Sequence, residues 1–169
     1  MKLFVDLDGT LTAFDKAVTK LGPTAAAGLG ENATQADKQI MYDAIEKAGE
    51  PFWADMEWLP EGKELWKIVE KFHPVLLSSP GKFQYAPSGK QAWVNNNLPG
   101  ISLFLTDSKS EYIDPYDMSV LIDDNRNNIG AWEEMGGEGI LHTSTSDTER
   151  KFLELLWNVP DINPDQIYW

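Results

Sequence analysis

The sequence predicts an α/β fold: a doubly wound parallel sheet flanked by helices, with a small helical cap inserted after the first strand. Three observations predict it. Short apolar runs such as Val75-Leu76-Leu77 and Val120-Leu121-Ile122 lack clean alternation, which suits strands covered on both faces. From residue 62 onward such runs alternate with helical patterns, the rhythm of right-handed βαβ crossovers. Four of the runs also close on polar residues able to do chemistry, and ligands of open α/β sheets bind beyond the carboxyl ends of the strands.

Strands are expected at about 2–8, 74–79, 101–107, 119–124 and 138–142. Leu65, Trp66, Ile68, Val69 and Phe72 form one helical stripe, Ile129, Trp132 and Met135 a second, and Phe152, Leu153, Leu155 and Leu156 a third. Such stripes read as core. The stretch 15–61 breaks the rhythm. Leu21-Gly22-Pro23 through Gly28-Leu29-Gly30 is rich in small residues and reads as flexible. Thr34 reads as an N-cap with Asp37 at N3, opening a helix that carries Ile40, Met41, Ala44 and Ile45. Pro51 through Pro60 is aromatic and awkward as a regular element. Residues 15–61 are therefore expected to form the cap, with 1–14 and 62–169 as the core. The tail from Pro160 to Trp169 is expected to pack as an irregular strap.

The 169 residues suffice for one domain with a full core, and 42% hydrophobic content is that of a folded chain. With no cysteine, disulfides, thiolate metal sites and a cysteine nucleophile are excluded. A net charge of −13 argues against a nucleic-acid polymer as the main partner. A small phosphorylated substrate stays compatible if a metal ion and a few lysines make the site locally positive. No signal peptide is evident at the start, and no apolar stretch approaches bilayer length. A cytoplasmic protein with no membrane partner is the expectation.

The first strand closes on Asp6-Leu7-Asp8-Gly9. Alternate residues of an extended chain share a side, so Asp6 and Asp8 leave together and repel unless a cation or a proton intervenes. An Asp-Gly turn is the competing reading. The second strand ends in Ser78-Ser79, whose hydroxyls can bind phosphate oxygens. The third is followed by Lys109, which can reach a strand-end site, and the fourth ends in Asp123-Asp124, hard oxygen ligands suited to Mg²⁺. In a doubly wound sheet these ends converge, and together they describe an anion site around a divalent cation.

The series Asp6-Leu7-Asp8-Gly9-Thr10-Leu11-Thr12, Ser78, Lys109 and Asp123-Asp124 resembles, in order, the four motifs of the haloacid dehalogenase superfamily, whose fold is Rossmann-like. Ser78-Ser79-Pro80, Lys90-Gln91-Ala92-Trp93-Val94 and Leu121-Ile122-Asp123-Asp124 further resemble the 5'(3')-deoxyribonucleotidases. That resemblance implies a Mg²⁺-dependent phosphomonoesterase acting on deoxynucleoside monophosphates. Asp6 would be the nucleophile and Asp8 the general acid and base. Mg²⁺ would be held by Asp6, the backbone carbonyl of Asp8 and Asp124, with Asp123 beside it or directly on it. Ser78 and Lys109 would bind phosphate, assisted by Ser79, Lys82 and Lys90. Phe14 matches a base-stacking position and Trp53 an aromatic cap residue, with a plain core contact equally open for Trp53. A homodimer is implied as well. Two arginines of that family are replaced here, by Asn125 after the acid pair and by Asp107 two before the lysine. A non-nucleotide phosphate ester, a polynucleotide 3'-phosphate, or a non-catalytic binding module are the alternative readings. His73 and His142 match no catalytic position.

Overall fold

Side-chain alternation along the central strand divides the interior into two apolar layers. Leu3 and Val5 of β1 (Lys2–Val5) enter one layer and Phe4 enters the other. The same division recurs at Leu76 and Leu77 of β2 (Val75–Ser78), and at Val120, Leu121 and Ile122 of β4 (Ser119–Asp123). With β3 (Leu103–Leu105) and β5 (Glu138–Leu141), these strands form one five-stranded parallel sheet in the order β3-β2-β1-β4-β5. The fold is α/β as the sequence predicts. This computed structural model describes residues 1–158, and the expected strap lies outside them.

Eight helices accompany the strands among the described residues: α1 (Phe14–Lys20), α2 (Pro23–Ala26), α3 (Gln35–Ala48), α4 (Glu50–Ala54), α5 (Pro60–Val69), α6 (Ala86–Asn97), α7 (Arg126–Glu134) and α8 (Thr145–Trp157). The start of α3 has the expected capping box, with Thr34 Oγ1 accepting from Asp37 N at 3.2 Å and Asp37 Oδ2 accepting from Thr34 N at 2.9 Å. The segment expected to be flexible forms α2 and a 3-10 turn at Ala27–Leu29. Pro23 sits in the first turn of its helix, where no N–H is needed. Pro51 does the same for α4, so part of the awkward aromatic stretch is helical. Met135, expected in the core, ends α7 and is exposed. All five strands are shorter than expected at their carboxyl ends, which releases those residues into the loops that build the site.

Both layers are closed by indoles with bonded N–H groups. Trp93 donates to the Met56 carbonyl at 2.8 Å, and Trp132 to the Ser119 carbonyl at 3.1 Å, while the Phe4 ring meets Trp132 edge-on at 5.4 Å. Truncating either indole would cost roughly 3–5 kcal/mol. Met41, Ile45, Phe52 and Trp53 from the 15–61 segment pack into the same apolar cluster as Leu65, Leu76 and Val94. That segment is thus anchored directly on the sheet layer. Among the described residues no helix is long and apolar enough to cross a membrane.

Two backbone bonds zip the chain before α5 to the loop after β1: Ala13 N to Glu57 O and Leu59 N to Leu11 O, each 2.8 Å. Gly62 is what lets α5 lie so close. A Cβ there would stand 2.5 Å from the Thr10 carbonyl oxygen and 2.7 Å from Leu11 Cα, and backbone atoms cannot rotate aside. Gly62→Ala gains about 1 kcal/mol of helix propensity but overpacks the contact by roughly 1–3 kcal/mol. The clash is expected to win, lowering the midpoint of a urea melt; an unchanged or higher midpoint would contradict it.

Candidate active site

The strand ends are knitted together just where the acids emerge. Asp6 N donates to Ile122 O at 2.9 Å, Thr106 N to Ser78 O at 3.0 Å, and His142 N to Asp123 O at 2.8 Å. Beyond Asp6 the chain folds back tightly, with Leu11 N and Thr12 N both bonded to Leu7 O at 2.9 Å. Gly9 makes that turn at φ +84°, and any Cβ on it would run into the Asp124 carboxylate. The glycine therefore serves both the turn and the close approach of two loops.

Lys109, in a 3-10 turn at Lys109–Tyr112, reaches under the sheet end and is buried. Its ammonium bonds the Asp6 carboxylate and lies 2.6 Å from Asp123 Oδ2. Asp123, fully buried, also accepts from Asn125 N at 2.8 Å and from Asn128 Nδ2 at 2.9 Å. Asp6, Asp123 and Asp124 each place a carboxylate oxygen within 4.8 Å of the others. The Asp8 carboxylate is not in that trio. It pairs with Lys90 at 2.6 Å and accepts from Thr12 Oγ1 at 3.3 Å. Lys90, buried on α6, also donates to Ser78 Oγ at 3.1 Å and to the Ser79 carbonyl.

Crowding sets the titration of these groups. Burial, then Asp123 and Asp8, push the Asp6 carboxyl up to about 8 against the opposing pull of Lys109. Burial works to lower the Lys109 ammonium, but Asp6 and Asp123 outweigh it and hold it above the usual lysine value. Asp124 keeps contact with solvent, yet the protein packed around its carboxyl, followed by Asp123, pushes it up to about 6.

Two cavities meet here. A small one of about 200 Å³ is lined by Asp6, Ser78, Lys109, Asp123, Asn125 and Asn128 together with Asp8, Ser79 and Asp124. The last three also line a larger cavity of about 650 Å³. That chamber is walled by Phe14, Trp53, Trp58 and Phe83, with Lys16 and Glu57 also on its wall. Phe14 and Trp53 thus stand at the site, Trp53 at the same time packed against Phe52 and Phe83 at 4.9 and 5.3 Å between centroids. Glu57 binds Lys16 at 2.5 Å and also Lys20, and these two lysines hold its carboxyl down at about 2.

Two expected phosphate contacts are placed differently. Lys82 lines neither cavity; it is exposed, with its ammonium 3.7 Å from the centroid of the Tyr42 ring. The Ser79 hydroxyl is engaged by Asp107 Oδ1 at 2.6 Å and accepts from Gly81 N at 3.2 Å, so its proton is not aimed at the cavity. Asn128 and Thr12 were not legible as site residues. The signals were faint: Asn128 falls in the first turn after the Asn125 N-cap, and Thr12 is four residues past Asp8.

A haloacid dehalogenase-like family hydrolase from Streptococcus pneumoniae superposes with a TM-score of 0.54, covering 92% of this chain and 96% of its own at 13% identity. The chain has a haloacid dehalogenase-like fold. A hydrolase from Pseudomonas syringae is also similar, with a TM-score of 0.51, 88% of each chain covered and 15% identity. No protein-family model matches the sequence, and no curated protein does. At these identities the likeness shows the fold, and the chemistry must be read from the residues.

Those residues fit a divalent cation. Three hard carboxylates lie together and two of them pair with one ammonium, leaving two negative charges when all are ionised. The sign of the pH dependence follows. Asp6 and Asp124 have carboxyls raised above their unfolded values, so the folded chain holds protons that the unfolded chain gives up. Without metal, their stabilising share is complete below the unfolded carboxylate value of about 4 and is lost as pH rises through about 6 and 8. A divalent cation such as Mg²⁺ bound there would take the place of those protons. Its addition is expected to raise the melting temperature more at pH 8 than at pH 5, with Asp124→Asn losing most of the effect. An equal or larger rise at pH 5 would count against this cation site.

Proposed function

We propose that the chain is a Mg²⁺-dependent phosphomonoesterase acting through an aspartyl-phosphate, its preferred substrate a deoxynucleoside monophosphate. The observation that carries this reading is the pair of joined cavities. A small charged one suits a phosphoryl group, and a larger aromatic one, about 650 Å³, suits an uncharged leaving group. Asp8 stands on the shared wall, where the bond between the two halves would break.

Asp6 attacks phosphorus through a carboxylate oxygen as the bond to the leaving oxygen breaks, and Asp8 gives that oxygen its proton. A water molecule then attacks phosphorus, giving a proton back to Asp8, and the bond to Asp6 breaks to release inorganic phosphate. Lys109 and Lys90 offer fixed positive charge, and Ser78 a hydroxyl, to the phosphoryl oxygens. Asp6, Asp124 and the Asp8 carbonyl would hold Mg²⁺, with Asp123 beside them, and the ion would supply positive charge to those oxygens. Asp123 is already committed to Lys109, Asn125 and Asn128, which favours a role in orienting Lys109. Phe14 and Trp53 would flank the base.

One observation favours a different substrate on the same machinery. Asp107 and Asn125 stand where the resemblance has arginines, and both are engaged locally, Asp107 by Ser79 and Asn125 by Asn127 N at 2.9 Å. A non-nucleotide phosphate ester would need less of that lost charge.

Phosphate release from dUMP, dTMP, sugar phosphates and phosphoglycolate with Mg²⁺ tests both. A deoxynucleotide is expected to lead by at least tenfold in kcat/KM, about 1.4 kcal/mol of discrimination. A sugar phosphate in first place transfers the proposal to the second reading, and no release from any monoester leaves a non-catalytic binding module. Asp6→Asn is expected to reduce turnover on the order of a thousandfold or more with an unchanged circular dichroism spectrum.

A further inference from the structure

We propose that Asp107 is a positioning residue that, through Ser79, fixes the Lys90 ammonium against Asp8. The inference rests on the phosphomonoesterase reading for its kinetic consequence, but its geometry stands alone. The edge strand β3 ends at Leu105, in register with Ser78, and the Thr106 N to Ser78 O bond of 3.0 Å carries the pairing one residue further. Asp107 is thereby set beside the loop after β2.

There its Oδ1 accepts the Ser79 hydroxyl at 2.6 Å. The same hydroxyl oxygen accepts from Gly81 N at 3.2 Å, and Gly81 takes the positive φ of +61° that the turn requires. With its donor spent on Asp107 and an acceptor site on Gly81, Ser79 is held in one rotamer. Its carbonyl then faces the cavity wall and accepts from Lys90.

Lys90 is satisfied on three sides. An ammonium has three donors, and these meet the Ser79 carbonyl, Ser78 Oγ at 3.1 Å and Asp8 Oδ2 at 2.6 Å. One of the three anchors, the Ser79 carbonyl, belongs to the loop that Asp107 holds, and a second, Ser78, is the strand residue directly before it. A flexible lysine stem costs conformational entropy to immobilise, so removing the hold on that loop lets the ammonium leave Asp8. Lys90 also lies 5.2 Å from the centroid of the Trp53 ring, which gives it an alternative place to rest. The carboxylate thus does what an arginine at this position could not do, since Ser79 needs an acceptor.

Asp107→Ala, Asp107→Asn, Ser79→Ala and the Asp107/Ser79 double alanine variant test this. Asn keeps an oxygen acceptor without the charge. Because Lys90 acts on Asp8, Asp107→Ala is expected to lower kcat about fivefold, the scale of one lost hydrogen bond, with KM nearly unchanged. Asp107→Asn should restore kcat, and the double variant should be no worse than either single one. A readout free of turnover is the Lys90 ammonium resonance of ¹⁵N-labelled protein, assigned by its loss in Lys90→Met. It should be visible in the wild type and in Asp107→Asn, and broadened away in Asp107→Ala. A Lys90 signal untouched by Asp107→Ala, an Asn variant as impaired as Ala, or additive losses in the double variant would each overturn the proposal. If the wild type hydrolyses no monoester, the functional reading falls while the resonance still decides the positioning role.

Discussion

Everything at the carboxyl edge of this sheet depends on one buried ammonium. Lys109 lies between Asp6 at the end of β1 and Asp123 at the end of β4. Carboxylates buried this deeply would each cost several kcal/mol if left unpaired. Taking one partner from such an arrangement costs more than the pair contributes, because a charge is stranded. The lysine comes from the loop after the edge strand β3, so a side chain from the rim of the sheet fastens the two central strands. Asp123 is then shared further, with Asn125 N and Asn128 Nδ2, which ties the start of α7 to the same charge.

The topology explains why the site forms at this place. The chain runs from β1 outward through β2 and β3, then returns to lay β4 on the other flank of β1 with β5 beyond it. The direction of winding reverses between β1 and β4, which opens a crevice outside their carboxyl ends. Asp6 follows one of those strands, and Asp123 and Asp124 end and follow the other. The acids therefore flank the crevice itself. The 15–61 segment follows the loop after β1, so its Trp53, with Phe14 just before it, lines the same crevice and helps turn an open edge into a chamber.

How much of this was legible follows from what each residue needs. Asp6, Ser78, Lys109 and Asp123 could be read because each ends or follows an apolar run, and a parallel sheet forces such ends together whatever the loops do. The split between Asp6 and Asp8 was less visible. Alternation puts both carboxylates on one side, but the tight turn to Thr12 aims Asp8 at Lys90, a residue twelve positions past Ser78 on a different helix. Lys82 looked equivalent to Lys90 in sequence. Lys90 lies on α6, which buries it beside Ser78, whereas Lys82 lies in the loop before that helix and stays on the surface against Tyr42. Pro51 disguised α4, since a proline reads as a break unless the first turn of the helix is known. Asn128 was invisible for the same kind of reason: its partner is set by where α7 begins.

Asn125 and Asp107, where the resembled sequences have arginines, find a common physical account. At position 125 the chain needs an N-cap for α7, and Asn125 provides it by accepting from Asn127 N at 2.9 Å while its own N–H secures Asp123. At position 107 it needs an acceptor for Ser79, and an arginine has none to offer. Both side chains serve hydrogen bonds that hold the frame. What positive charge remains is Lys109 and Lys90, each already matched to a carboxylate. A dianionic phosphoryl group entering the small cavity would meet the carboxylates of Asp6, Asp8 and Asp124 with those two ammoniums as its counterweight. A divalent cation on the acid trio would correct that balance, and its charge would arrive without a side chain that must be ordered.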